Sequence, residues 1–259
     1  MKKFSQLAIP YIVWMVLMLV LPVALIAMYS VTTHGNSIIS FSFTLEHYKK
    51  FFTDSDFLLV LGRSLMIAFK TTVICLLVGY PAAYFIARSS EKMQNILIMA
   101  ITIPTWINML VRTYAWRGIL LETGLSPEIK VYIGMVYNFL PFMILQIYTS
   151  LSKMDKSLIA AANDLGCDNR MAFLKVTLPL SVPGIISGIT LVFLPAVSSF
   201  FIPKLLGGGS YVLVGNLVEN YFVTTGDWNF GSAVSLIMTI VILISMYFTR
   251  KFDYEKENN

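Results

Sequence analysis

The stretch Ala160-Ala161-Ala162-Asn163-Asp164-Leu165-Gly166, followed after nine residues by Val176-Thr177-Leu178-Pro179, is a polar segment set between long apolar runs. Gly166 tolerates positive φ, so it can end a helix that runs through the alanines. Asp168 can cap a second short helix through Leu174, and Pro179 then marks the return towards apolar sequence. The pattern predicts two helices joined by a turn outside a bilayer, with small side chains at the centre that suit docking into a groove on another protein.

An apolar stripe runs along the first of these helices. Its members recur at spacings of three and four residues, which places them on one helical face while the charged residues point elsewhere. The stripe consists of Leu151, Met154, Leu158, Ala161, Ala162 and Leu165.

The composition of the 259-residue chain is that of a membrane protein. Hydrophobic residues make up 57% and charged residues 13%, so the chain cannot present an ordinary charged surface to water on all sides. Crossing the roughly 30 Å hydrocarbon layer takes about 20 apolar residues. We therefore predict an all-α polytopic membrane protein in which residues 1–259 form one transmembrane domain. The predicted spans are about 9–31, 65–87, 95–119, 131–151, 182–205 and 232–249, and 152–181 forms a loop.

The orientation of the chain follows from Lys and Arg in the connecting segments. These residues are moderately more numerous on the side that holds both termini and the 152–181 loop. Positive charge accumulates on the cytoplasmic side of membrane proteins. We expect both termini and the loop in the cytoplasm. The first span is too long for the core of a signal peptide, so we expect it to be retained.

The sequence lacks the motifs of an enzyme. It contains no phosphate-binding loop, since Gly207-Gly208-Gly209 lacks the following Lys. Cys75 and Cys167 lie in different environments, and His34 and His47 have no Cys or carboxylate at ligand spacing. We expect no metal, no catalytic residue and no cofactor bound by this chain. The composition favours passage of a solute over a reaction, and no motif points to nucleic acid.

Polar and aromatic residues within or beside the spans are candidates for a translocation pathway. Such residues face protein-lined cavities, because unsatisfied polar groups are costly in hydrocarbon. Helix packing and an interfacial aromatic belt remain open alternatives for them. We expect Lys70 and Arg112 to be interfacial anchors or partners of Glu122 or Asp227. The candidate pathway residues are Tyr48, Trp106, Asn108, Tyr114, Asn138, Ser198 and Ser199.

The polar segment resembles the "EAA" loop of ABC-importer permeases. That loop reads Glu-Ala-Ala, three residues, Gly, nine residues, an aliphatic residue, any residue and Leu-Pro. The present chain keeps the spacing throughout and has Ala160 in place of the Glu. Three further segments resemble permeases of the spermidine/putrescine uptake subfamily, in particular the first of its two permease subunits. They are Asn108 to Trp116, Gly134 to Leu145 and Leu191 to Gly208.

The resemblance implies a type I ABC-importer permease fold in the bacterial cytoplasmic membrane. It implies a second permease subunit, an external polyamine-binding protein, and an ATPase dimer that uses ATP and Mg and docks on the loop. The residues expected to couple the chain to the ATPase are Ala160, Ala161, Ala162, Asp164, Leu165, Gly166, Leu178 and Pro179.

Other functions remain open from the sequence alone. An ABC permease for thiamine, a phosphonate or a metal chelate would have the same loop. A self-contained secondary transporter is disfavoured, because no Asp or Glu lies well inside a predicted span. A membrane scaffold protein would also have a docking loop, but without transport.

Overall fold

The computed structural model describes residues 2–33, 42–209 and 211–257, which are mostly helical. His34 lies outside these residues. In chain order the helices are α1 (Lys2–Ser30), α2 (Glu46–Thr53), α3 (Ser55–Arg88), α4 (Glu91–Trp106), α5 (Met109–Leu120), α6 (Pro127–Ser152), α7 (Lys156–Asp164), α8 (Asn169–Ala172), α9 (Leu178–Leu180), α10 (Val182–Ser198), α11 (Phe201–Leu206), α12 (Val214–Glu219) and α13 (Trp228–Glu257). A π-helical turn, Phe173–Thr177, joins α8 to α9, and a second, Asn220–Thr225, follows α12.

In the part of the chain that the structure describes, up to six segments are long and apolar enough to cross a membrane when each bent helix pair counts as one span, which agrees with the all-α, six-span prediction. Four are single helices with apolar runs over Pro10–Ser30, Ser55–Arg88, Pro127–Ser152 and Trp228–Tyr247. The other two are bent pairs. One joins Glu91–Trp106 to Met109–Leu120, and the other joins Asn169–Leu180 to Val182–Ser198.

The third predicted span, 95–119, is not one straight helix. Helices α4 and α5 meet at 92°. Pro104 has no N–H to donate in the last turn of α4, and Ile107 is extended with ψ 136°. The Asn108 side chain then accepts a hydrogen bond from the Leu110 N–H at 2.8 Å and so starts a new helix. Capping by Asn108 therefore turns one predicted span into two helices.

The bounds of the second and fifth predicted spans also differ from the structure. Helix α3 begins at Ser55, well before the predicted start at 65. Helix α10 ends at Ser198, where Ser199 is extended with ψ 127°, so the predicted span 182–205 takes in the separate helix α11. Pro195, which lacks an N–H, weakens the last turn of α10.

Helices α3, α6 and α10 pack together as the core. Glycines allow α10 to approach α6 closely, because an added Cβ at Gly184 would lie 2.4 Å from Ser150 Cβ, and one at Gly188 would lie 2.6 Å from Met143 Sδ. These contacts make the two helices antiparallel. The end of α10 at Ser198 is therefore far from the 152–181 loop. Fully buried side chains of this core include Ile67, Met135, Met143, Ile147 and Val192.

The remaining elements surround this core. Helix α1 packs on α13, and its side chains from Pro10 to Leu25 are exposed and almost all apolar, as lipid-facing residues are. Helix α2 packs on α13 and α3, and its His47 Nε2 lies 3.0 Å from the Thr32 carbonyl oxygen. Within the described ranges, β structure is limited to one bridge between Thr32 and Phe43.

Candidate coupling loop and translocation site

The loop between α6 and α10 contains two capped helices, as the sequence predicted. Asp155 caps α7, with Oδ1 accepting from the Ser157 N–H at 2.8 Å, and this hydrogen bond lowers the pKa of the Asp155 carboxyl. Asp168 caps α8 by accepting from the Met171 N–H at 2.7 Å. Because a π-helical turn continues α8 into α9, the second helical segment extends to Leu180 and passes the predicted end at Leu174.

The turn between these two helices depends on Gly166. Its φ is +86°, a conformation that side chains with a Cβ rarely adopt, which confirms its predicted role. The Cys167 N–H donates to the Ala162 carbonyl at 3.0 Å, and the Gly166 N–H donates to the Asn163 carbonyl at 2.9 Å. This pair of bonds is a Schellman motif, which satisfies the last carbonyls of α7.

The apolar stripe predicted for the first helix divides into two faces. Helix α7 begins only at Lys156, so Leu151 and Met154 belong to α6 and the turn after it. Ala162 is buried against the rest of the chain, whereas three residues at helical spacing form an exposed face. We call this the loop face: Leu158, Ala161 and Leu165, of which Leu165 is 87% exposed. Ala160, Asp164 and Pro179 are also exposed, and Leu178 is half-buried.

The base of the loop is tied to α3. Tyr80 Oη and Ser181 Oγ lie 2.9 Å apart, and Phe173 packs edge-on against the rings of Tyr80 and Tyr84. Ser181 is fully buried and precedes α10. The base of the loop therefore joins α3 to the start of α10. A cavity of about 710 Å³ separates the loop from the turn between α3 and α4, lined in part by Arg88, Glu91, Gln94, Ile159 and Thr177.

Four candidate pathway residues lie around the bend between α4 and α5. Trp106 is 76% exposed at the end of α4, and Asn108 is the exposed cap of α5. Tyr114 is half-exposed, with its ring edge-on to Phe201 of α11. Asn138 of α6 is buried, with Nδ2 3.9 Å from Met109 Sδ. The bend thus lies between Trp106 and Asn108, and Asn138 contacts the first residue of α5.

The other three candidates lie elsewhere. Ser198 is exposed at the end of α10, and Ser199 is buried with no hydrogen-bond partner for its hydroxyl among the described residues. Tyr48 of α2 donates its hydroxyl to Ser30 Oγ at 2.8 Å and so holds α2 against α1.

Two ion pairs lie at the end of the core remote from the loop. Lys70 pairs with Glu128, at 3.7 Å between Nζ and Oε1, so the predicted partners Glu122 and Asp227 are wrong for this lysine. Lys204 pairs with Glu219 at 2.5 Å. Sequence reasoning missed both pairs, because each joins residues of different helices. The nearby ring of Tyr211 lies under the Arg63 guanidinium, and burial raises the Tyr211 pKa.

Among the residues that the structure describes, two nitrogens of Arg112 have no hydrogen-bond partner. Nε and Nη1 are shielded from solvent and have no hydrogen-bond acceptor within the described part of the chain. The side chain lies in a groove beside Trp116 and Tyr137, and the groove walls include Ile107, Val111 and Ile119, which are at least half exposed. Arginine stays charged in proteins, so these donors require an acceptor from outside the described residues.

The structure offers no constellation for a bound metal among the residues described. No group of three or more His, Cys, Asp or Glu side chains in these ranges is arranged to hold an ion.

Two solved structures with the same fold are ABC transporters. The chain superposes on a chain of a bacterial ABC transporter involved in the import of the acidic polysaccharide alginate, with TM-score 0.67 and 12% identity over 96% of both chains. It also matches a chain of the MetNI methionine ABC transporter in an inward-facing conformation, with TM-score 0.63 and 15% identity over 78% of this chain and 99% of that one. These likenesses establish the fold.

Sequence relatives cover nearly the whole chain. It is 36% identical to the spermidine/putrescine transport system permease protein PotB of Haemophilus influenzae, over 95% of this chain and 94% of that protein. The identity is also 36% to PotB of Escherichia coli K12, over 88% and 90%. The inner membrane ABC transporter permease protein YdcU of Escherichia coli K12 is 27% identical. Residues 75–253 match the model of the binding-protein-dependent transport system inner membrane component. The chain therefore belongs to this family, as the permease subunit of a type I ABC importer.

Proposed function

We propose that this chain forms part of the translocation pathway of an ATP-driven importer for the polyamines spermidine and putrescine. The observation that carries the proposal is the 36% identity, over nearly the full length of both chains, to permeases named for spermidine/putrescine transport. An external binding protein delivers the polyamine. The chain lies in the cytoplasmic membrane with both termini and the loop on the cytoplasmic side.

The loop face is the docking surface for the ATPase. Leu158, Ala161 and Leu165 present a small apolar surface, and helix caps at Asp155 and Asp168 stabilise the two helices on either side of the turn. ATP and Mg are used by the ATPase, while this chain binds no cofactor. Nucleotide binding by the ATPase favours one of two conformations of the assembly. The loop transmits this change from the ATPase to the membrane helices. Ala160 removes the acidic side chain that resembling loops carry, so the contact with the ATPase depends here on shape and apolar burial.

The second permease subunit covers the groove beside Arg112. The guanidinium needs an acceptor, and a substrate that carries only positive charge cannot supply one. The second subunit contributes an apolar helix that carries a carboxylate. The carboxylate pairs with the guanidinium, and the apolar side chains of that helix cover the exposed Ile107, Val111 and Ile119. Contact with the second subunit also buries apolar surface that this chain alone leaves exposed.

Polyamine uptake by the assembled complex tests the proposal. The complex of both permeases and the ATPase is reconstituted in vesicles, and radiolabelled spermidine bound to its receptor is supplied outside. We expect uptake that requires ATP in the vesicle lumen, which the ATPase faces. An intact complex that hydrolyses ATP in response to the loaded receptor but never accumulates spermidine or putrescine refutes the substrate assignment.

The coupling role of the loop face is tested in the same vesicles. Ala161→Arg places a long charged side chain in the middle of the loop face, so we expect loss of uptake with receptor binding retained. Asn163→Arg is the matched control, because Asn163 is also exposed on α7 but lies outside the loop face. Equal loss in both variants would show that α7 tolerates no change, and would contradict docking through Ala161.

A further inference from the structure

Glu219 lies between two grooves at the end of the core remote from the loop. It is the last residue of α12, and its side chain is 26% exposed and paired with Lys204 of α11. On one side is a groove that also contains Lys204 and Tyr211. On the other side is a mostly apolar groove of about 410 Å³ between the end of α10, α12 and α13. This α10–α13 groove is lined by Ser198, Phe200, Val218, Glu219, Met238 and Thr239, with Ser235 and Ile242 beside them.

The hydroxyl groups of the α10–α13 groove are arranged as hydrogen-bond acceptors. Ser235 Oγ donates to the Gly231 carbonyl at 2.8 Å, and Thr239 Oγ1 donates to the Ser235 carbonyl at 2.9 Å. Ser198 Oγ lies 3.3 Å from the Leu194 carbonyl, to which it donates. Since each hydroxyl gives its one proton to its own helix, only its lone pairs are available to a ligand. The end of α10 adds the partial negative charge of a helix C-terminus.

These features match a ligand that donates hydrogen bonds, accepts none, and is otherwise apolar. An ammonium group has three donors and no acceptor, and methylene segments pack on apolar walls. A polyamine consists of ammonium groups separated by methylenes. The Lys204 side chain is itself an ammonium on four methylenes, so the Glu219–Lys204 pair already reproduces one end of such a ligand within the chain.

On the basis of the proposed function, we propose that Glu219 binds an ammonium group of the polyamine in transit, in the α10–α13 groove, and that Lys204 occupies Glu219 when no polyamine is present. Substrate enters by exchange of one ammonium for another, so the charge around the carboxylate is conserved. Exposed ion pairs are weak, and Lys204 is 56% exposed, so the lysine is displaced easily into water. The displaced Lys204 ammonium then competes with the polyamine for Glu219. This competition prevents long retention of the polyamine, as a transport site requires.

The second ion pair provides a matched control. Glu128 and Lys70 also join two helices, but their atoms lie 3.7 Å apart and their side chains are 46% and 50% exposed. Glu128 belongs to the first turn of α6 and does not line the α10–α13 groove. Glu128→Gln therefore removes a paired carboxylate, more exposed than Glu219, without changing a residue that lines the α10–α13 groove.

The experiment uses the complete complex in vesicles with saturating spermidine-loaded receptor. We measure the uptake rate, the ATP hydrolysis that the loaded receptor stimulates, and the labelled spermidine retained when nucleotide is trapped in the ATPase. Glu219→Gln is expected to lower uptake and retention about tenfold or more, as for loss of a charge-assisted hydrogen bond. Stimulated ATP hydrolysis stays within about twofold of wild type, which shows intact docking, and Glu128→Gln leaves all three readouts within the same range.

The two partners of the pair are expected to have opposite effects on retention. Lys204→Met frees Glu219 and raises the retained spermidine, while uptake slows because release is slower. A purely structural ion pair would lose retention in both variants, and that result overturns the proposal. So does wild-type retention in Glu219→Gln.

If Glu219→Gln fails to assemble, Thr239→Val decides, since it removes an acceptor at constant volume and leaves the ion pair intact. It should lower retention severalfold, and an unchanged value overturns the proposal. Absence of uptake by the wild-type complex would instead refute the proposed function.

Discussion

Replacement of Gly184 by Ala tests how closely α10 packs on α6. The added Cβ would lie 2.4 Å from Ser150 Cβ and 2.9 Å from the Gln146 carbonyl oxygen. Carbon atoms in contact are normally separated by about 3.5 to 4.0 Å. Neither neighbouring atom can move by rotation of a side chain, because one is backbone and the other is a Cβ. The two helices must therefore separate by about 1 Å at this point.

The expected cost follows from two opposing effects. Overpacking of a well-packed interior costs about 1 to 3 kcal/mol. Replacing Gly by Ala within a helix stabilises it by up to about 1 kcal/mol. With the full helix gain subtracted, the net destabilisation is up to about 2 kcal/mol. For a chain of this size each kcal/mol corresponds to about 2 to 4 °C in Tm. We expect Gly184→Ala to lower the Tm of the purified complex by several degrees.

Thermal unfolding in detergent, with two further glycine variants, measures this effect. Gly62→Ala in α3 is the control, because its Cβ would meet no atom within 4 Å, and its Tm should stay the same or rise. Gly188→Ala should have an intermediate effect, since its close contact at 2.6 Å is the Sδ of the flexible Met143. A Tm for Gly184→Ala that equals or exceeds that of Gly62→Ala refutes the close packing.

Three further predictions concern the loop and the subunit contact. Gly166→Ala forces φ +86° on a residue with a Cβ, at a cost of about 1 to 2 kcal/mol, and should lower uptake while receptor binding persists. Uptake equal to wild type would show that the turn is not needed. Arg112→Glu should prevent co-purification with the second permease, whereas the exposed control Arg117→Glu should assemble, and normal assembly of both variants would place lipid or water at Arg112. The pKa of Asp155 is lowered in the folded loop, so its contribution is present above the unfolded carboxyl pKa of about 4 and is lost as pH falls through the folded value. Asp155 should therefore cause no pH dependence of uptake between about pH 5 and 8, and Asp155→Asn, which keeps a helix-capping side chain, should match wild type over that range in a pH titration of the vesicles.

The sequence predicted which segments cross the membrane but not how they bend. Long runs without charges are a local property, so the number of spans could be read directly. The 92° bend after Trp106 depends on Asn108 acting as a helix cap. The sequence around Asn108 is equally compatible with a straight helix, so it did not predict the bend. Pro104 indicated a break nearby, but the bend itself depends on how α5 packs against α6 and α11.

Side-chain faces and ion pairs were harder to predict than spans. Periodicity identified the apolar stripe around Ala161 and Ala162 but not which residues are exposed, because that depends on where α6 ends and α7 begins. Lys70 pairs with Glu128 because α3 packs along α6, a contact between helices that spacing along the chain does not encode. One signal was present and not used. Gly184 and Gly188 form a G-x-x-x-G pattern, which is typical of close helix packing in membranes.

Helix α10 connects the loop to the proposed polyamine site. Its 17 residues correspond to about 25 Å, from the buried Ser181 at the base of the loop to Ser198 beside Glu219. A helix transmits a displacement along its length only if its neighbours do not absorb it. Because Gly184 and Gly188 hold α10 against α6 by direct contact with little free space, the two helices move as a unit, and Tyr80 joins α3 to that movement at Ser181. The substitution Gly184→Ala should therefore lower the uptake achieved per ATP hydrolysed as well as Tm, since helices that are forced apart no longer pass a movement of Pro179 to the groove that binds the polyamine.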